Sequence, residues 1–142
     1  MKENKVVYTY GAWDLLHSGH LNMLEKAKSH GDILIVGVVG DKVITKFKGK
    51  PKPIQQLKER LRIISSLRCV DIAIVQETYN PTPNLDAHRP DIVVKGEEGQ
   101  KVDKGTGILD AVEWCKKNKK IMIKPPYTQG VSTTKIIKRM KR

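Results

Sequence analysis

Apolar positions along the chain follow two rhythms. Val6-Val7-Tyr8-Thr9-Tyr10 is a short β-branched and aromatic run closed by Gly11, and it predicts a strand over residues 6–10. Leu21, Leu24 and Ala27 then recur at helical spacing, so a helix is expected to open near Gly19, run to His30 and stop at Gly31. Ile33-Leu34-Ile35-Val36-Gly37-Val38-Val39 is continuously apolar, the pattern of a strand covered on both faces, and Gly40-Asp41 ends it. Lys46-Phe47-Lys48-Gly49-Lys50-Pro51-Lys52-Pro53 is broken by Gly and Pro and reads as a basic loop. A helix over 56–67, a strand over 71–75, a short helix over 84–88 between prolines and a strand over 91–95 follow. Residues 96–107 form a glycine-rich polar loop, 108–118 a helix and 120–124 a fifth strand. Pro125-Pro126 stops that strand, Ser132 caps the last helix, and the tail from Lys135 to Arg142 reads as an amphipathic helix with a basic face.

Strands alternating with helices predict one α/β domain over residues 1–142: a Rossmann-like doubly wound sheet of about five parallel strands, with helices on both faces. In such sheets ligands bind beyond the carboxyl ends of the strands, at the point where strand order reverses. Chemistry is therefore to be sought just after each strand.

Composition narrows the class. At 142 residues, with 39% hydrophobic and 30% charged residues, the chain suits a single soluble domain with one sizeable core. No apolar run approaches the ~20 residues of a membrane span, and the start lacks the apolar stretch of a signal peptide. Cys69 and Cys115 are too few and too far apart for a disulfide scaffold or a cysteine zinc site, so a cytoplasmic location is expected. Twenty-seven Lys and Arg against fifteen Asp and Glu give a net charge of +12, which points to an anionic partner. An aromatic fraction of 5% speaks against a platform for stacking nucleic-acid bases. Lys116-Lys117-Asn118-Lys119-Lys120 and the basic tail read as solvated charge at helix ends.

The stretch with chemical content is Gly11-Ala12-Trp13-Asp14-Leu15-Leu16-His17-Ser18-Gly19-His20. Gly11 allows a sharp turn and close approach to a ligand. A helix opening near Gly19 offers N–H groups and a partial positive charge to a phosphate. His17 and His20, three residues apart at the helix entrance, can face one site and donate to phosphate oxygens. Packed structural histidines, a zinc pair and a Ser18 nucleophile compete with this reading. Zinc needs a third ligand and Ser18 a base with an orienting group; neither is visible in the sequence. His30 and His88 read as helix-end or surface histidines.

His17-Ser18-Gly19-His20 resembles the H-x-G-H signature of the cytidylyltransferase-like nucleotidyltransferases. Gly130-Val131-Ser132-Thr133-Thr134-Lys135-Ile136 is similar to their C-terminal G-[IV]-S-T-T-x-[IL] signature. The likeness covers nearly the whole chain. Lys46 and Lys48-Gly49 fall where the family places lysines that meet the triphosphate, and Arg60 and Arg68 match two basic positions of the glycerol-phosphate cytidylyltransferases. The segment from Lys48 to Ile54 resembles the K-G-x-x-R-P-[IV] loop of heptose-phosphate adenylyltransferases, and Arg89-Pro90-Asp91-Ile92-Val93-Val94-Lys95-Gly96 their R-P-D-x-[LV]-V-K-G segment. Tyr127 stands where the cytidylyltransferases have arginine, and Glu97-Glu98 where the heptose enzymes have G-D. The bifunctional heptose enzymes also carry a sugar kinase domain, which is not expected within these 142 residues.

The resemblance implies transfer of a nucleotidyl group from a nucleoside triphosphate, ATP or CTP, to a phosphorylated sugar or polyol, with release of pyrophosphate. ATP is favoured, because Tyr127 departs from the cytidylyltransferase pattern. His17, His20 and Lys48 are the expected catalytic residues. Tyr10, Gly11, Ala12, Trp13, Asp14, Gly19, Lys46, Arg60, Arg68, Lys95, Gly96, Ser132, Thr133 and Thr134 are expected to bind nucleotide or acceptor. Mg²⁺ is expected on the triphosphate rather than on protein side chains, and a homodimer is expected. The rival readings are a glycerol-3-phosphate-type cytidylyltransferase, flavin-nucleotide synthesis, which shares H-x-G-H, and a non-enzymatic nucleic-acid or anionic-surface binder. The last does not require the two motifs, so neither nucleic-acid binding nor membrane insertion is expected.

Overall fold

The computed structural model describes residues 3–48, 52–96, 107–126 and 133–141. Its order is β1 (Val6–Gly11), α1 (Ser18–Lys28), β2 (Ile33–Val39), α2 (Asp41–Lys48), α3 (Leu57–Ser65), β3 (Ile72–Gln76), α4 (Thr82–His88), β4 (Ile92–Val94), α5 (Ile108–Asn118), β5 (Ile121–Ile123) and α6 (Thr133–Met140). The five strands form one sheet in the order β3-β2-β1-β4-β5, and every pairing is parallel. The expected doubly wound sheet is therefore present, and strand order reverses between β1 and β4.

Alternation along the central strands sorts the core into two layers. Val7, Leu34, Val36, Val38, Ile92 and Val94 face one side, where Leu24 and Ala27 of α1 and Ile64 of α3 cover them. Tyr8, Tyr10, Ile35, Val39 and Val93 face the other, against Ile44 of α2, Leu85 of α4, and Ala111, Trp114 and Cys115 of α5. Burial on both sides explains why β2 carries no polar residue. Gly37 on β2 leaves room for a partner: a Cβ there would lie 2.1 Å from the Tyr8 hydroxyl. That hydroxyl donates to Gln76 Oε1 at 2.5 Å and accepts from Asn84 Nδ2 at 3.0 Å, which fastens β1, β3 and α4 together. Burial pushes the Tyr8 pKa well above the ordinary value.

One element departs from the expected pattern. Residues 41–48 are helix α2, not the approach to a loop. Gly40 and Asp41 both end β2 and start this helix, since the Ile44 N–H donates to the Gly40 carbonyl at 3.2 Å. Asp41 in the first turn suits the helix dipole, and Ile44 is buried with Val43 packed beside it. Lys46 and Lys48 therefore ride on a helix. Among the described residues, no helix is long and apolar enough to cross a membrane.

Candidate active site

The residues between β1 and α1 lie at the carboxyl end of the sheet, beside the β1–β4 switch point. Gly11 was expected to make the turn there, but it is the last residue of β1, and the chain turns instead at Trp13 (φ 56°) and Leu15 (φ 48°), both left-handed. Gly11 serves close approach: a Cβ there would lie 3.3 Å from the Trp13 ring and 3.6 Å from Lys95 Nζ. Trp13 is buried, donates from Nε1 to the Gly37 carbonyl at 3.0 Å and sets its ring edge-on to His20, with centroids 5.6 Å apart.

His17 is the N-cap of α1, and the two histidines cap it reciprocally. The Gly19 N–H donates to His17 Nδ1 at 3.1 Å, and the His17 N–H donates to His20 Nδ1 at 3.2 Å. The rings stack with centroids 3.8 Å apart. An imidazole that accepts at Nδ1 carries its neutral-state proton on Nε2, so the cap sets the tautomer of both rings and makes Nε2–H their donor. Burial lowers the His17 pKa, which favours the neutral ring that this cap requires. The cap also corrects one expectation: the Gly19 N–H serves His17 and is not held out for a phosphate.

Asp14 ties the loop to the segment before α3. Its two carboxylate oxygens accept from the Ile54 N–H at 2.8 Å and the Gln55 N–H at 2.9 Å, and the Leu15 N–H donates to Gln55 Oε1 at 3.0 Å. Thr133, the first residue of α6, donates from Oγ1 to the Asp14 carbonyl at 2.8 Å. The start of the last helix is thus fastened to the histidine loop, 119 residues earlier in the chain. On β4's side of the switch point, buried Lys95 donates to the Tyr10 carbonyl at 2.8 Å and lies 4.5 Å over the Tyr10 ring. Gly96 is buried next to Met23 of α1, whose Cε would lie 2.6 Å from a Cβ at that position.

Three expected ligand-binding residues are placed otherwise. Arg60 is fully buried: it donates from Nε to the Gln55 carbonyl at 3.0 Å, and from Nη1 to the carbonyls of Ala12 at 2.6 Å and Val39 at 2.8 Å. Its Nη2 pairs with Asp41. These contacts make Arg60 a strut beneath the site rather than a phosphate clamp, and they take up the Ala12 carbonyl. Arg68 is exposed in the turn between α3 and β3, at the amino edge of the sheet and so opposite the histidines. The Tyr10 ring is fully buried in the core, so its backbone alone borders the site.

Lys46 is exposed on α2, and Thr134 is exposed in the first turn of α6. Ser132 and Tyr127 lie outside the described residues, as do Glu97 and Glu98. Gln55 carries no motif, and sequence reading did not single it out. No three His, Cys, Asp or Glu side chains converge on a metal position among the described residues.

Fold and loop together define an α/β enzyme with a paired-histidine site at the switch point of its sheet. A family model described as Cytidylyltransferase-like matches residues 8–139, and the chain belongs to that family, as a nucleotidyltransferase. It is 38% identical to the bifunctional protein HldE of Helicobacter pylori strain P12 over 100% of its own length and 29% of that protein's. It is 41% identical to HldE of Helicobacter acinonychis, over 99% and 28% of the two chains. It therefore spans less than a third of the length of these curated relatives. Among solved structures, a lipopolysaccharide core biosynthesis protein from Thermoplasma volcanium superposes with a TM-score of 0.71 at 30% identity, over 89% of this chain and all of the other. Pantoate-beta-alanine ligase from Francisella tularensis, at 16% identity and a TM-score of 0.61 over 99% and 70% of the two chains, shares the fold.

Proposed function

We propose that the chain transfers a nucleoside monophosphate from a magnesium-bound nucleoside triphosphate to a phosphorylated sugar, releasing pyrophosphate, with ATP as the donor. The observation that carries this reading is the stacked His17–His20 pair, tautomerically set by the α1 cap and fastened through Asp14 to the start of α6. An anionic acceptor phosphate attacks the α-phosphorus in line and needs no strong base. Catalysis then consists of holding two polyanions and stabilising the charge that develops. His17 and His20 donate from Nε2 to oxygens around the α-phosphorus. The N-terminal turn of α6, with Thr133 and Thr134, receives the outer phosphates together with the hydroxyl of Ser132, the preceding residue in sequence. Lys46 and Lys48 on α2 add positive charge along the triphosphate. Mg²⁺ enters as part of the nucleotide, held by phosphate oxygens and water.

The preference for ATP and a phosphorylated sugar rests on the segments 48–54 and 89–96, on Tyr127 in place of arginine, and on the likeness to HldE and to the Thermoplasma protein. The net charge of +12 suits an anionic substrate. The homodimer belongs to this proposal, and light scattering at micromolar concentration reads it directly. The decisive experiment is pyrophosphate release with ATP and CTP, each paired with heptose phosphates, glycerol 3-phosphate and ethanolamine phosphate. Turnover with ATP and a sugar phosphate is expected. Turnover confined to CTP and a polyol phosphate would move the chain to the cytidylyltransferase branch, and none with any pair would remove the reading.

A further inference from the structure

The loop that carries the histidines is held in a costly conformation, and the residue that holds it is Gln55. Trp13 and Leu15 occupy the left-handed region, which side-chain-bearing residues keep only where their surroundings impose it. Trp13 is held by its bond to the Gly37 carbonyl. Leu15 is held by Gln55, whose Oε1 accepts the Leu15 N–H at 3.0 Å while its own N–H binds Asp14 Oδ1 at 2.9 Å. The Gln55 carbonyl accepts in turn from Arg60 Nε at 3.0 Å. Gln55 is thereby seated on a buried guanidinium that also binds the ends of β1 and β2 and the first residue of α2. His17 lies two residues beyond Leu15, and its backbone N–H is one half of the reciprocal cap.

Resting on the nucleotidyl-transfer reading above, we propose that Gln55 is a positioning residue for that reaction. Its side-chain carbonyl locks Leu15 in the left-handed conformation and so sets the direction in which His17 and His20 present Nε2–H to the substrate. Gln55 acts through Leu15 and not on the substrate. Through Arg60 it also keeps the histidine loop in register with the lysine-bearing helix α2.

The test compares Gln55→Met, which keeps the length but loses the acceptor, with Gln55→Glu, which keeps the acceptor, in the full chain labelled with ¹⁵N. Three quantities are read: hydrogen exchange at the Leu15 amide, the ring-nitrogen tautomer of His17, and kcat and KM for pyrophosphate release. In Gln55→Met, Leu15 exchange is expected to rise and kcat to fall by about fivefold each, the weight of one lost hydrogen bond. His17 is expected to show a second tautomer, with KM for the triphosphate little changed. Gln55→Glu is expected to retain slow Leu15 exchange and the single tautomer. Gln55→Ala reads the same loss should the methionine variant not fold. Unchanged exchange and tautomer in Gln55→Met overturn the proposal, as does a change in both with kcat intact. If the unmodified chain releases no pyrophosphate with any pair, the functional reading falls by itself. The latch is then judged on Leu15 exchange and the His17 tautomer, which support it if they move and overturn it if they do not.

Discussion

The two edges of the sheet use the same bond for different ends. At the amino edge, Asp32, Asp71 and Asp91 each stand just before a strand. They accept from the Lys5 N–H at 2.8 Å, the Leu34 N–H at 2.7 Å and the Val6 N–H at 2.9 Å, so each carboxylate pins the register of neighbouring strands. At the carboxyl edge, Asp14 also accepts backbone N–H groups, from Ile54 and Gln55, but there it holds a loop with two left-handed residues. The amino edge thus repeats one device three times, and its own left-handed residues, Arg89 (φ 45°) and Lys119 (φ 58°), serve as the C-caps of α4 and α5. The carboxyl edge draws on β2, the segment before α3 and the start of α6 to hold a few residues in one costly shape. Stability can be spread over many equivalent contacts, whereas a reactive site requires one geometry and concentrates its support.

The two arginines break this comparison most directly. Arg60→Met is expected to destabilise the fold by roughly 3 kcal/mol, the lower end for breaking a buried pair because Asp41 keeps some contact with water. Arg68→Ala is expected to stay within about 0.5 kcal/mol, as surface changes do. Urea titration of both variants measures the difference, and equal effects would mean that the strut beneath the site has no special weight.

At the histidines the cap and the chemistry can be separated. His20→Ala and His17→Asn are each expected to lower turnover by about 10²–10³, the range for one preorganised donor. His17→Asn keeps a good N-cap and should leave stability nearly intact, while His17→Ala should lose a further ~1 kcal/mol of helix capping. Thermal melts beside pyrophosphate assays read both. Activity in His17→Asn equal to that of the unmodified chain would reduce the pair to a helix cap.

Smaller effects sharpen the picture. Thr133→Val removes the bond to the Asp14 carbonyl and should lower kcat/KM about fivefold, in line with ~1 kcal/mol for one hydrogen bond. The two edges should also respond differently to acid. His17 has a folded pKa below its ordinary 6.5, lowered by burial. As pH falls below 6.5 the unfolded residue takes up its proton before the folded one does, so the His17 contribution favours unfolding there, and loss of activity should begin below pH 6.5. Asp71 has a folded pKa below its ordinary 3.8, chiefly through the hydrogen bond from Lys28 and then the one from the Leu34 N–H. Its stabilisation is complete above pH 3.8 and is lost as pH falls from there through the folded value. Asp71→Asn should flatten the stability profile below pH 4 and leave the activity limb unmoved.

How far the sequence reaches can be judged on particular residues. The apolar run 33–39 coincides with β2, and the helix expected over 108–118 coincides with α5, because periodicity and turn residues are local signals. H-x-G-H falls at the entrance of α1, as its spacing predicts, and Thr133 of the second motif folds against Asp14 of the same loop. Helix α2 was not legible: its stripe of Val43, Ile44 and Phe47 is short, and the Gly-Pro-rich residues that follow suggested a loop.

The sequence by itself determined the α/β alternation, the parallel sheet, the position of the histidines at a helix entrance and the cationic balance. Each of these follows from neighbours along the chain or from composition. Tertiary structure decided which polar groups are left for a ligand. Arg60 and Arg68 are both arginines that follow a proline-rich stretch, yet one is consumed by carbonyls 21 and 48 residues away while the other is exposed at the far edge. Gln55 carries no mark in the sequence until Leu15, 40 residues earlier, is folded against it. A donor or acceptor is defined by its partner, and where that partner lies tens of residues away only the folded chain brings the two together.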